Sequence, residues 1–275
     1  MVDLHIHTTA TPHHSTWMPT ELAATAAKSG LLAIAATDHN TTASVAALQE
    51  AGKRYGVQVI PGVEIDSGFH DKLWHTLVYG VEPDAPRLLG LCQAVFDRNM
   101  ADARALQVRL IDQGFNLDDL ETLDRPFNVA DVGTTLARQN NLPQRNPTED
   151  DESAGMRYIL TQVPQGYNPV SVNEVVEVAH QCGGVAVLAH PGRSKGIYAI
   201  PATAEDLAGM AEVGLDGIEV FYPTHTREQR VFYSQIAKQH RLFLTGGSDS
   251  HHPHQSLASW PSDDVHVFLE HIKVL

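Results

Sequence analysis

Short, unbroken apolar runs alternating with helix-length amphipathic segments narrow the possible folds more than any other feature of this chain. Residues 31–36 (LLAIAA) and 185–189 (VAVLA) are apolar throughout, and a strand of that kind is hidden only in a sheet covered on both faces. Residues 58–60, 73–79, 217–221 and 242–245 read as further strands. Between them lie segments with helix start and stop signals. Pro19-Thr20-Glu21 opens an Ala-rich helix that Gly30 ends, residues 42–55 are closed by Gly56, and residues 172–182 stop at Gly183-Gly184. Residues 205–213 and 227–240 complete the set. The roughly seven strand–helix repeats predict βα units around a parallel sheet, where chemistry collects at the carboxyl ends of the strands.

The pattern breaks between residues 82 and 169. Residues 85–114 read as one long helix or a helix pair, followed by shorter helical pieces at 117–123 and 129–140. Pro126, Pro143, Pro147, Pro164 and Pro169, with the acidic run Glu149-Asp150-Asp151-Glu152, mark irregular connections. The expected organisation is a barrel formed by residues 1–81 and 170–275, with residues 82–169 a helical insertion that either caps the barrel mouth or packs passively.

A chain of 275 residues has room for one large domain or two medium ones. Its net charge of −14 disfavours binding to duplex nucleic acid, which needs a basic footprint. No apolar run is long enough to span a membrane, and Met1 leads into a strand without a basic leader, so a cytoplasmic protein is expected. The two cysteines, Cys92 and Cys182, fall in helical segments and read as buried thiols, not as a disulfide framework. An anionic substrate therefore requires a local positive centre, and bound divalent cations can supply one.

Sixteen histidines suggest where that centre is. In Val2-Asp3-Leu4-His5-Ile6-His7 the apolar residues alternate with polar ones, the pattern of a strand with one buried face, so His5 and His7 point the same way and can chelate one ion. An isolated H-x-H is as well explained by a solvated strand end. The other groups make the difference: His39, Glu64, His75, His190, Asp249 and His251 all fall on or just past predicted strands. Five or more imidazoles with two carboxylates exceed the needs of one ion, which implies a polynuclear site with a bridging carboxylate.

These residues occur in D-L-H-x-H (3–7), T-D-H (37–39), P-G-x-E (61–64), the in-strand His75, A-H-P-G-R (189–193), G-I-E-V (217–220) and G-S-D-S-H (247–251). Together, and in this order, they resemble the PHP (polymerase and histidinol phosphatase) family across the whole chain outside the insertion. The resemblance implies a distorted (β/α)7 TIM-like barrel and three divalent metal ions, Mn, Fe or Zn. One ion would be held by His5, His7, Glu64 and Asp249, a second by bridging Glu64 with His75 and His190, and the third by His39, His251 and a residue of the first loop. Where relatives of the phosphoesterase branch carry a ligating Asp in that loop this chain has Pro12, so His13 is assigned as the ninth ligand, with His14 as the alternative. Asp38 is expected to orient an imidazole.

The implied activity is hydrolysis of a phosphate ester by a metal-bridging hydroxide. Arg193 would clamp the substrate phosphate, and His225 would make a second contact or protonate the leaving group. The branch resembled is that of 3′,5′-nucleoside bisphosphate phosphatases, which also trim 5′ ends of short RNA. The expected partner is accordingly a small phosphorylated molecule, a nucleotide or a short RNA or DNA end, with no duplex nucleic acid and no membrane. Arg125-Pro126-Phe127-Asn128-Val129-Ala130 keeps only part of that branch's R-P-H-x-A-R motif. A phosphatase for cyclic sugar phosphates, sugar phosphates or histidinol phosphate is the alternative, and a non-catalytic PHP module the reading from another class.

Overall fold

A computed structural model describes residues 1–11, 15–70, 72–193 and 201–274. The chain is mixed α/β, and its elements in order are β1 (Val2–Ile6), α1 (Pro19–Lys28), β2 (Ala33–Ala36), α2 (Val45–Tyr55), β3 (Gln58–Phe69), β4 (Lys72–Tyr79), α3 (Pro86–Asp112), α4 (Val129–Gln139), α5 (Asp151–Gln162), β5 (Val170–Ser171), α6 (Val172–Gln181), β6 (Val185–Leu188), α7 (Ala204–Glu212), β7 (Gly217–Phe221), α8 (Arg227–His240), β8 (Phe243–Gly246) and α9 (His266–His271). The eight strands belong to one sheet, seven of them in the order β1-β2-β3-β4-β6-β7-β8. Beyond β8, Asp249 N donates to His5 O (2.8 Å) and His7 N to Ser250 O (3.0 Å), so the last strand's continuation lies along the first.

The sheet is not wholly parallel. β1, β2 and β3 run parallel, as do β6, β7 and β8, but β4 is antiparallel to both β3 and β6. No helix intervenes between β3 and β4, and a parallel neighbour needs a crossover of a dozen or more residues. Pro61-Gly62, read as a strand end, instead lies inside β3, which continues to Phe69 because β4 pairs with it from Gly62 to Phe69. β1 departs from expectation in a similar way, since all five of its residues are buried. Val2 and Leu4 enter one apolar cluster and Ile6 another, while Asp3 and His5 are enclosed on the opposite, polar side.

By its internal contacts the described chain separates into two compact units. The first contains residues 1–93, 171–193 and 201–274, and the second Ala94–Val170. In the second, α4 and α5 pack with Leu106, Leu110, Val132, Leu136, Met156 and Ile159 in an apolar cluster. Gly133 and Gly155 make the approach possible: a Cβ at Gly155 would lie 1.7 Å from the Gly133 carbonyl oxygen. The acidic run expected in an irregular connection begins α5. Asp150 caps it by accepting from Ser153 N at 2.7 Å, and Asp151 and Glu152 occupy its first turn, where the helix dipole favours negative charge. No helix among the described residues is long and apolar enough to cross a membrane.

Candidate metal centre

β1 carries His5 and leads directly into His7, where the segment after β8 passes close by. Gly247 permits this contact, because a Cβ there would fall 2.2 Å from the Cβ of His5. Asp249 follows with φ 56°, and His190, just past β6, has φ 27°. Both are non-glycine residues in the left-handed region, a strain that persists where surrounding structure holds a site together.

Glu64 is at the middle of the cluster and has no solvent exposure. Its two oxygens divide the imidazoles between them. Oε1 lies 2.9 Å from His75 Nδ1 and 3.2 Å from His190 Nε2, and Oε2 lies 3.3 Å from His5 Nε2, 3.2 Å from His7 Nε2 and 3.3 Å from His39 Nδ1. Asp249 Oδ1 is 3.1 Å from His7 Nε2 and 3.6 Å from His5 Nε2, and the two imidazole Nε2 atoms are 3.3 Å apart. Four ligands about 2.1 Å from one ion in a tetrahedron are separated by about 3.4 Å, so the donor atoms of His5, His7, Glu64 and Asp249 already have the spacing of a coordination shell. Glu64 Oε2, His39 Nδ1 and His75 Nδ1 are buried and have no hydrogen-bond partner among the described residues despite these short separations. Lone pairs that converge without aligned protons suit a cation better than a hydrogen-bond network.

Among the described residues three donor groups have ligand atoms mutually within 4.8 Å: His5, His7, Glu64 and Asp249; His39, Glu64 and His75; and His7, His39 and His251. The first matches a set expected from the sequence. His190 reaches the cluster through Glu64 Oε1, and the His251 ring stacks on that of His7 with centroids 4.1 Å apart. His13 and His14 lie outside the described residues.

The electrostatics follow from crowding charge in a dry interior. Burial alone would raise the Glu64 carboxyl, but His5, His75 and His39 outweigh it and hold the group well below the usual carboxylate range. Asp249 is likewise held low against its burial, chiefly by His5 and His7. His7, which burial would lower, is pushed up to about 9 by Asp249 and Glu64. His251, partly buried and beside His7, falls to about 3. A divalent cation competes for the same lone pairs as those protons, so metal binding releases protons.

Several residues given no role by the sequence support this centre. Both oxygens of buried Glu219 lie 3.2 Å from His5 Nδ1, and Oε2 also accepts from His190 N at 2.8 Å, which fixes the ring that turns Nε2 to the cluster. Tyr222 donates its hydroxyl to Asp249 Oδ2 at 3.0 Å. Asp3 ties the segment after β8 to β1 by accepting from Ser248 N and Ala258 N. Asp66 lies beside His39 and His75, and His39, after burial, is the main influence on its carboxyl, which drops to about 2.

Two expected roles change. Among the described residues Asp38 touches no imidazole. It accepts from Thr8 N, Thr8 Oγ1, Thr11 Oγ1 and Ser44 Oγ, gathering the first loop, and is linked to His7 through Thr11, whose hydroxyl is 3.3 Å from His7 Nδ1. His225 cannot serve as a phosphate contact or proton donor in this arrangement, because it is 2% exposed and both ring nitrogens are engaged. Nδ1 donates to Val220 O at 2.9 Å and Nε2 accepts from Gly192 N at 3.0 Å, so the ring braces the turn that presents Arg193. Arg193 itself is at the cluster, with Nη1 3.4 Å from Asp249 Oδ2 and 29% of its side chain exposed.

Residues 3–132 match the PHP domain model. Over 258 residues the chain is 32% identical to the phosphoribosyl 1,2-cyclic phosphate 1,2-diphosphodiesterase of Eggerthella lenta, spanning 90% of this chain and 93% of that protein. The chain belongs to the PHP family. As a member it is a metal-dependent phosphoesterase, a hydrolase of phosphate ester bonds. The PHP likeness extends to the 3′,5′-nucleoside bisphosphate phosphatase of Chromobacterium violaceum, 26% identical over 92% of this chain and 87% of that one. It extends also to the crystal structure of a Bifidobacterium adolescentis protein described as a metal-dependent phosphoesterase, with a TM-score of 0.70 and 26% identity over 98% and 96% of the two chains.

Proposed function

We propose that this PHP chain hydrolyses a small phosphate ester at a trinuclear centre of Mn, Fe or Zn in a distorted (β/α)7 barrel formed by residues 1–81 and 170–275, with residues 82–169 as its helical insertion. The division of the Glu64 oxygens between two sets of imidazoles carries the reading, because a carboxylate so placed can serve two ions at once. His5, His7, Glu64 and Asp249 would hold one ion, Glu64 with His75 and His190 a second, and His39 and His251, with His13 or His14 of the first loop, a third. Bound divalent ions would supply Lewis acidity and lower the pKa of water toward neutrality.

The protein's own residues do the rest. Arg193 is paired with Asp249 Oδ2 through a long contact of 3.4 Å, and a phosphate would compete for its planar fork as a bidentate partner. Tyr222 donates to Asp249 Oδ2, the oxygen Arg193 also faces, which leaves Oδ1 directed at the imidazoles. Glu219 faces His5 Nδ1 and would hold a proton there, so that Nε2 is the nitrogen left to face an ion.

For the substrate there are two readings. The nucleotide reading, a nucleoside 3′,5′-bisphosphate or a short oligonucleotide end, rests on the motif likeness. The cyclic sugar-phosphate reading is favoured by the higher identity to the Eggerthella lenta diphosphodiesterase. A phosphate-release screen separates them when run over nucleoside 3′,5′-bisphosphates, 1,2-cyclic sugar phosphates and sugar monophosphates on protein reconstituted in turn with Mn, Fe and Zn. Turnover of one class that is lost on chelation and restored by a metal is the expected result. No turnover of any class by a metal-loaded protein would overturn the catalytic reading.

A further inference from the structure

The first loop places one hydroxyl between two residues that the metal centre uses. Thr11 is 1% exposed, and its Oγ1 meets three groups: Asp38 Oδ1 at 2.7 Å, the backbone N of His39 at 3.2 Å and His7 Nδ1 at 3.3 Å. A hydroxyl has one proton to give and two lone pairs to receive with. Which neighbour takes the proton therefore decides what the other two must do.

Asp38 takes it. Among the described residues the other contacts of this buried carboxylate are all donors: Thr8 N, Ser44 Oγ and Thr8 Oγ1, which itself accepts from Ala10 N. A carboxylate ringed by donors acts as an acceptor throughout, and 2.7 Å is the separation of an O–H donating to such a group. His39 N–H can only donate, so it fills one lone pair of Thr11 Oγ1. The second lone pair faces His7 Nδ1, and a proton on that nitrogen satisfies it. His7 then turns Nε2 to the donors of the first ion, 3.1 Å from Asp249 Oδ1, 3.2 Å from Glu64 Oε2 and 3.3 Å from His5 Nε2.

We propose that Thr11 is a positioning residue of the metal centre. Its hydroxyl, oriented by Asp38, keeps a proton on His7 Nδ1 so that Nε2 is the ligating nitrogen, and it holds the backbone of His39 at the same point. The proposal rests on the phosphoesterase reading of this centre and leaves each ion with the ligands assigned above. The two imidazoles of the H-x-H pair are thus steered by different devices: Glu219 faces His5 directly, whereas Asp38 acts on His7 through Thr11.

Zinc-loaded protein labelled with ¹⁵N is read by long-range proton–nitrogen NMR, which distinguishes a protonated from a metallated ring nitrogen. In the wild type His7 should carry zinc on Nε2 and a slowly exchanging proton on Nδ1. Thr11→Val keeps the shape of the side chain without its hydroxyl. That proton should then exchange rapidly with solvent, and one equivalent of zinc, measured by competition with a coloured chelator, should bind roughly ten- to a hundred-fold more weakly. Thr11→Ser restores the hydroxyl and should recover both properties. A side chain that merely packs would give the reverse order, with Val like the wild type and Ser impaired, and that result would overturn the proposal. Zinc on His7 Nδ1 in the wild type would overturn it by itself, even if Thr11→Val failed to fold. Wild type that binds no zinc would overturn the proposal and the catalytic reading together.

Discussion

The two units of the molecule bury different things. The first encloses Asp3, His5, His7, Asp38, Glu64 and Glu219 at or near zero exposure, whereas in Ala94–Val170 the only buried polar side chain among the described residues is Thr135. The second unit keeps its charges outside and paired, as in Arg125–Asp131, Arg145–Asp151 and Arg157–Glu149. Burying charge costs several kcal/mol per ion unless partners compensate, and an apolar interior avoids that cost. The first unit buries carboxylates and imidazoles that offset one another's desolvation. The second encloses an apolar core.

Glu64→Ala should have the largest effect, since it withdraws the carboxylate shared by five imidazoles. We expect most bound metal to be lost and kcat/KM to fall roughly a thousand-fold or more. Elemental analysis and kinetics check this, and retention of the full metal complement would break the contrast at its centre.

Gly155→Ala attacks the other side. A methyl group in contact with the Gly133 backbone forces α4 and α5 apart, and overpacking of that kind should lower the melting temperature by roughly 10 °C or more. Metal content should persist if the first unit folds independently, so calorimetry with metal analysis on one sample reads both halves of the comparison.

Arg193→Ala sharpens it, because Arg193 belongs to the site without being able to ligate a cation. Loss of a bidentate charge-assisted contact should cost about 1.5 to 3 kcal/mol, roughly ten- to a hundred-fold in kcat/KM, with metal content intact. An unchanged kcat/KM would remove Arg193 from the site.

The smallest effect concerns an ordinary ion pair of the first unit. Lys72 Nζ donates to both oxygens of Asp206 at 2.8 Å. Burial would raise the Asp206 carboxyl, but Lys72 and the Thr203 cap bring it below its ordinary value of 3.8. A depressed carboxylate contributes stability that is present above its unfolded pKa and is lost as the pH falls through the folded one. Lys72→Met should therefore cost about 0.5 to 1 kcal/mol near neutral pH and progressively less below pH 3.8 in thermal melts.

The imidazoles were legible in the sequence because eight groups in family order leave little ambiguity, although a single histidine at a strand end is as well explained by a structural role. Glu219 and Asp66 were not legible, because a single carboxylate on a strand reads the same whether it faces solvent or a buried ring. His225 misled for the opposite reason: a histidine beside the site looks chemical until both nitrogens are seen bonded to backbone. The reversal of β4 depended on the absence of a helix between two strands, and the acidic run opening α5 resembled a loop because capping residues and loop residues are the same types.

The hydrogen bonds that lay the end of β8 along β1 join residues from opposite ends of the chain: Asp3 accepts from Ser248, 245 positions later, and from Ala258, 255 positions later. At synthesis rates of about 5 to 20 residues per second, β1 waits on the order of ten to fifty seconds for the partners that enclose it. During that interval His5 and His7 are part of a growing chain without Asp249. The His5–His7–Glu64–Asp249 donor group therefore cannot assemble until Asp249 has been made, and a chain that stops short of Asp249 lacks it.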